Sequence, residues 1–321
     1  MRILLALGGN ALLRRDEVAS AANQRRNIEA GARALAHIAD DHEVILTHGN
    51  GPQVGLLALQ NETFSEVPPY PLDVLAAESE GMVGHMLELA LRNELPDRDV
   101  VSVLTEVVVA DDDPAFGKPT KPIGPVYDKE QAQSLRHERG WTMGRDGIGF
   151  RRLVPFPEPH AIAEIRSLRV LIGSGALVIC AGGGGIPVAL DGLGTMEGVE
   201  AVVDKDLTAA LLARRLDADL LVMLTDVGAV HADWGGPKDR PIAGAEPAEL
   251  RKLKFEAGSI GPKVEAACRF AEATGRRAAI GSLADVARVV RGAAGTQVQA
   301  GAGEPAIAAT RRRAGPVNRR P

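Results

Sequence analysis

Residues 45–55 read ILTHGNGPQVG, and the fold turns on how that stretch is read. It opens as an apolar strand and then places Gly49, Asn50, Gly51 and Pro52 in succession. A surface turn would account for this composition. A backbone that must approach a ligand closely accounts for it better, because glycine has no side chain to screen its N–H group.

Working outward, similar apolar runs recur at 3–7, 44–47, 100–104, 177–181, 220–224 and 278–280. Each is nearly continuous in apolar residues, as expected for strands covered on both faces. Between them lie Ala- and Leu-rich helical patterns at 25–39, 72–91, 206–216 and 262–274. Strand and helix in alternation imply an α/β fold, with a mainly parallel open sheet. Residues 111–159 break the rhythm, being rich in Pro, Gly and charge without a long apolar period. So long an insertion in a compact unit is usually functional, and it is read as a protruding lid subdomain. The organisation expected is one domain over 1–310, carrying this lid, and a basic solvated tail over 311–321.

Composition excludes several classes. The chain has 321 residues and a formal net charge of −5, which argues against a nucleic-acid protein outside the short Arg-rich tail. Cys180 and Cys268 are the only cysteines; no CxxC pair exists, and both fall in apolar or helical patterns as small core residues. Residues 170–190 carry no charge and could span a membrane by length, but six glycines and Pro187 make a poor helix. No signal peptide is recognisable. A reducing cytoplasm and no membrane partner are expected.

Four strand ends carry unusual chemistry. The run at 3–7 ends on Gly8, Gly9 and Asn10; 44–47 ends on His48, Gly49, Asn50 and Gly51. The run at 177–181 ends on Gly182 to Gly185, and 220–224 ends on Thr225, Asp226, Val227 and Gly228. In an open α/β sheet such ends share one side, where ligands bind. None is a P-loop, and the first is not the dinucleotide GxGxxG turn.

Charge adds to the picture. Asp204, Lys205 and Asp206 fall where the chain enters a helix, a cation between two carboxylates. Lys263 follows Gly261 and Pro262 in the first turn of another helix, where a cation opposes the dipole and calls for an anionic partner. Glycine turns, lysines and an organising carboxylate are the parts phosphoryl transfer needs. Neither cysteine has a nucleophile motif, and GxSxG and HExxH are absent.

The segments ALGGNALL, THGNGPQVGLL, YPLDVLAAESEGMVGHML, DPAFGKPTKPIGPVY, AGGGGIPV, EAVVDKDLTAALLA, LTDVGAV and AGSIGPKVEAACRF resemble the carbamate kinases of the amino-acid-kinase fold. The resemblance covers residues from Leu5 to about Thr296, and TKPIGP and GGGGIPV with DKDL are its most specific parts. It implies a three-layer α/β/α sandwich, a homodimer, and reversible phosphoryl transfer between carbamoyl phosphate with ADP and carbamate with MgATP. It further implies that Gly8, Gly9 and Asn10 contact the moving phosphoryl group, with Gly182 and Gly183 also binding phosphate. Gly49, Asn50 and Gly51 would hold carbamate or carbamoyl phosphate. Lys205 and Lys263 would stabilise phosphate charge, Asp206 would orient them, and Lys121 would be delivered by the lid. Thr225, Asp226 and Val227 would flank the nucleotide, and Mg²⁺ would sit mainly on the nucleotide phosphates rather than on protein ligands.

His85 and His231 stand where tyrosine is common in the family, and Ile260 where methionine is common. None removes a proposed charge. Another acyl-phosphate kinase acting on an amino acid, and a metabolite-binding regulator without catalysis, are the alternatives; Lys205, Asp206 and Lys263 favour catalysis.

Overall fold

In the computed structural model, residues 1–13, 17–63, 66–236, 239–255, 260–301 and 306–307 are described. The six apolar runs form β1 (Arg2–Leu7), β2 (Glu43–His48), β3 (Val100–Val103), β4 (Leu177–Cys180), β5 (Leu220–Thr225) and β6 (Arg277–Ser282). They lie side by side, all parallel, in the order β3-β4-β2-β1-β5-β6. Thr296–Val298 adds antiparallel to β6, and Arg240–Ala245 and His231–Ala232 extend that edge.

Alternate residues of each strand bury on opposite faces. Leu4, Ala6, Ile45, Val178, Leu221 and Met223 pack with residues of helices Ile165–Gly173, Lys205–Arg215 and Gly261–Thr274. Ile3, Leu5, Leu7, Leu46, Ile179 and Val222 pack with Ala21–Ala39, Leu72–Glu94 and Val286–Val290. This double burial is why the strands read as unbroken apolar runs, and it makes the three-layer α/β/α sandwich. Cys180 and Cys268 are free thiols in the first of these cores.

Four helices border the strand ends: α1 (Gly51–Thr63), α2 (Leu72–Glu94), α3 (Lys205–Arg215) and α4 (Gly261–Thr274). The helix expected at 206–216 starts one residue earlier, because Asp204 caps it by accepting the Asp206 and Leu207 N–H groups at 2.8 and 3.0 Å. Asp204 thus caps the helix while its charge still favours the Lys205 ammonium, and the carboxylate that Lys205 bonds directly is Asp206.

Two smaller sheets stand apart. Glu106–Val109 and Ile186–Leu190 pair in parallel, flanked by Ala161–Ile162 and Met196–Gly198. Within 111–159, Lys121–Tyr127, Met143–Asp146 and Gly149–Val154 make a three-stranded antiparallel sheet, with helix Lys129–Arg139 beside it. Its Ile123 and Val154 pack on Val54 and Ala58 of α1 and on Leu72 and Leu75 of α2. Only one layer deep, it leaves most strand residues partly exposed, which is why no apolar period marks it. The tail at 311–321 and Gly258 lie outside the described residues.

Candidate active site

Parallel strands bring their following turns to one edge, and here the turns touch. Gly8 donates its N–H to Leu224 O and Gly49 donates to Leu7 O, each at 3.0 Å, tying β5, β1 and β2 together at their ends. A Cβ on Gly8 would lie 2.9 Å from Leu224 O, and one on Gly49 would lie 2.9 Å from Gly9 N. Glycine is required at both by close backbone approach, not by turn geometry alone. Asn10 continues from Gly9 into the short helix Gly9–Leu12.

The third turn runs through positive φ, which glycine adopts freely and Ala181 does not. Ala181, Gly183, Gly184 and Gly185 have φ of 51, 71, 107 and 86°. A Cβ on Gly183 would sit 2.1 Å from the Asn50 carboxamide, and one on Gly184 would sit 2.4 Å from Val203 O. Asn50 thus lies directly on the 182–184 turn, and Val203 leads to Lys205. Gly51, by contrast, has no atom near where its Cβ would be, so the mouth is open there.

At the centre, Asp206 Oδ1 accepts from Lys205 Nζ at 2.7 Å, and its two oxygens accept from Lys263 Nζ at 3.2 and 3.0 Å. Asp206 is 5 % exposed and Lys263 7 %. Burial works against the Asp206 carboxylate, but the two ammoniums outweigh it and hold its pKa below the usual range. Burial, with repulsion from Lys205, lowers the Lys263 pKa. Burial also opposes the Lys205 ammonium, yet Asp206 prevails and raises it. The helix-dipole cost of Lys263 is thus partly met inside the protein. Lys205 spends one contact on Asp206, so its ammonium keeps hydrogens that can be donated to an anion. A Cβ on Gly49 would lie 3.5 Å from Lys205 Cδ, so this charge borders the 49–51 turn.

His48 is 1 % exposed, with Nδ1 3.1 Å from Gly49 O; the carbonyl can only accept, so Nδ1 carries the proton. Burial lowers its pKa to about 4 and keeps the ring neutral, with Lys205 adding to the effect.

One expected member, Lys121, stands apart, and the expected nucleotide segment lies at the edge of the first turn. Among the described residues Lys121 makes no hydrogen bond or ion pair; its Nζ sits 4.4 Å from the Phe156 ring centroid. Thr225 ends β5 beside Gly8 and donates its hydroxyl to Asp226 Oδ1 at 3.0 Å, with the half-buried Val227 next. The structure therefore brings together Gly8, Gly9, Gly49, Asn50, Gly182, Gly183, Lys205, Asp206 and Lys263, and leaves Lys121 on its ring. Sequence reading passes over Ser79, Glu80, Thr105 and Thr208, which hold the turns from behind. A signal exists for two of them: Ser79 and Glu80 interrupt an otherwise apolar buried stripe of α2.

The amino acid kinase family model matches residues 1–282. The carbamate kinase of Haemophilus influenzae is 51% identical over 299 residues, covering 93% of this chain and 96% of that protein. The chain belongs to the carbamate kinase family. Two further carbamate kinases, from Rhizobium meliloti and Pyrococcus furiosus, are 52% and 43% identical over 92% of the chain, which spans 92% and 98% of their lengths. A solved carbamate kinase from Giardia lamblia bound to AMP-PNP superposes with a TM-score of 0.87 at 37% identity, over 93% of this chain and 98% of that one. As a carbamate kinase the chain is a phosphotransferase, and of the family departures His231 is tied to Asp239 at 2.6 Å on an edge hairpin.

Proposed function

We propose that the joined strand ends are where this carbamate kinase moves a phosphoryl group, reversibly, between carbamoyl phosphate with ADP and carbamate with ATP. The bond between phosphorus and the carbamoyl carboxylate oxygen breaks as a bond to the terminal ADP oxygen forms, and no protein proton is needed. The observation that carries this reading is the Lys205–Asp206–Lys263 group, whose two ammoniums are held on one buried carboxylate beside the bare 49–51 turn.

Gly8, Gly9 and Asn10 bind the moving group together with Gly182 and Gly183. The 49–51 turn holds the carbamoyl end, and Thr225, Asp226 and Val227 border the nucleotide. Lys205 and Lys263 stabilise charge that spreads over the phosphoryl oxygens, and Asp206 keeps both ammoniums aimed. Lys121 leaves Phe156 and joins them when the 111–159 lid settles over bound substrate. Asp206 already spends its oxygens on lysines rather than offering them to a metal. That fits Mg²⁺ arriving on nucleotide phosphates, where it would neutralise charge and keep most of its waters.

A homodimer in the cytoplasm completes the reading. Val74 and Leu89 are exposed on α2 and Leu104 lies against its Gly81, apolar surface a second copy would cover. Among the described residues no helix is long and apolar enough to cross a membrane.

The test is ATP formation from ADP, Mg²⁺ and carbamoyl phosphate. Wild type should form ATP, and Lys205→Ala and Lys263→Ala should each lose roughly 2–4 kcal/mol of transition-state stabilisation. Folded wild type that forms no ATP, or variants with wild-type turnover, would overturn the assignment.

A further inference from the structure

A turn made of glycine cannot hold itself in place. The 181–185 segment has no side chain larger than a methyl, and Ala181 at φ 51° holds a left-handed conformation that costs a non-glycine residue energy. Beyond its own bonds from Gly184 N to Ala181 O and from Gly185 N to Gly182 O, at 3.2 and 3.1 Å, its restraints come from outside. Thr47 Oγ1 donates to Ala181 O at 2.8 Å, Thr105 Oγ1 accepts from Ala181 N at 2.9 Å, and Thr208 Oγ1 donates to Gly184 O at 3.0 Å. Glu80 of α2 supplies the remaining one: its Oε1 accepts from Gly182 N at 2.8 Å and its Oε2 from Thr105 N at 3.3 Å.

Glu80 is 2 % exposed and has no cationic partner among the described residues, a costly way to hold two amides. The residue before it holds the other turn. Ser79 Oγ donates to Ala76 O at 2.9 Å and so must accept from Asn50 Nδ2 at 2.7 Å. That commitment orients the Asn50 carboxamide: nitrogen toward Ser79, and Oδ1 without a hydrogen bond among the described residues. The Asn50 carboxamide in turn lies on Gly183. Two consecutive residues of one helix therefore grip the two turns that must face each other across the reaction.

We propose that Ser79 and Glu80 are positioning residues that set the separation of the Asn50 turn and the 182–184 turn, and with it the alignment of the oxygens exchanging the phosphoryl group. Ser79 also presents Asn50 Oδ1 as an acceptor toward an amino group, which a carbamoyl group carries and a simple acyl phosphate lacks. This rests on the phosphoryl-transfer reading above.

Burial pushes the Glu80 carboxyl up to about 8, against the two N–H groups that favour its ionised form, with Glu164 adding to the rise. The other titratable groups facing it are Cys180 of β4, whose thiol burial raises, and His48 of β2, which stays neutral. A carboxylate accepts from an amide more strongly than a carboxyl does, so the turn is held more firmly above that pKa.

The experiment measures kcat and KM for ADP and for carbamoyl phosphate, with thermal stability, in wild type, Ser79→Ala, Glu80→Ala and Glu80→Gln. Ser79→Ala should raise KM for carbamoyl phosphate roughly tenfold while leaving that for ADP alone. Glu80→Ala should lower kcat by about 10²-fold, as a misplaced reacting group does. Glu80→Gln keeps an acceptor for Gly182 N and should recover part of that loss. Should Glu80→Ala fail to fold, the pH profile of Glu80→Gln decides: wild-type kcat should rise through pH 8, and the variant should lack that limb. Lower melting temperatures with unchanged kcat, KM and pH profile would mean a structural role only and overturn the proposal. Wild type that makes no ATP would instead overturn the phosphoryl-transfer reading, and this proposal with it.

Discussion

The floor of the site and the inserted lid hold their lysines in opposite ways. On the floor, Lys205 and Lys263 are locked on one buried carboxylate at 2.7 and 3.0 Å. In the lid, Lys121 rests its ammonium on the Phe156 ring with no ion pair among the described residues. A buried charge must be paired before substrate arrives, because unpaired it would cost several kcal/mol. A partly exposed charge on an aromatic face is held by about 0.5–1 kcal/mol and can leave. The floor is built to be in place already, and the lid closure proposed above needs a lysine held no more firmly than this.

The largest effect expected of any substitution is at the floor's carboxylate. Asp206→Ala leaves two buried ammoniums facing each other, and should cost about 3–5 kcal/mol of stability by denaturant unfolding, as well as activity. Its pKa is depressed, so this stability is present above the ordinary carboxylate range and is lost as pH falls through the folded value. An Asp206→Ala protein as stable as wild type would erase the contrast with the lid.

Next is Gly183→Ala. It would put a Cβ 2.1 Å from the Asn50 carboxamide at φ 71°, and should cost about 1–3 kcal/mol with a raised KM for carbamoyl phosphate.

His48 sharpens the comparison through pH. Its folded pKa of about 4 lies below the ordinary 6.5, so the unfolded chain takes up the proton first and stability falls as pH drops from 6.5 towards 4. Melting curves of His48→Asn should lack that share of the acid loss; identical pH dependence would show that the imidazole does not titrate there.

The smallest stability change belongs to the lid. Lys121→Ala should reduce turnover while shifting stability by no more than about 1 kcal/mol. Phe156→Leu should leave the fold intact and change turnover only through the lysine it releases. A Lys121→Ala protein that unfolds early would show the lid lysine to be structural, like those of the floor.

Much of this was legible along the chain. The six core strands appear where apolar runs predict them, because strands buried on both faces need no alternation. Lys205 and Asp206 are neighbours in sequence, so their pairing is local. The lid's strands were not legible: a single layer leaves them half exposed, and a bulge between Ile123 and Tyr127 interrupts their register. Asp204 has two roles the sequence does not separate: it caps a helix and adds its charge beside Lys205.

The sequence by itself determined that parallel strands end on bare turns, and parallelism alone sends those turns to one edge. Only the tertiary structure decided what stands behind them. Lys263 reaches Asp206 across 57 positions, Asn50 reaches Ser79 across 29, and Glu80 reaches Gly182 across 102. A polar residue on a helix reads the same whether it faces water or a glycine turn. The difference lies in what the fold places opposite it, and a buried amide without side chains of its own must find its acceptor there.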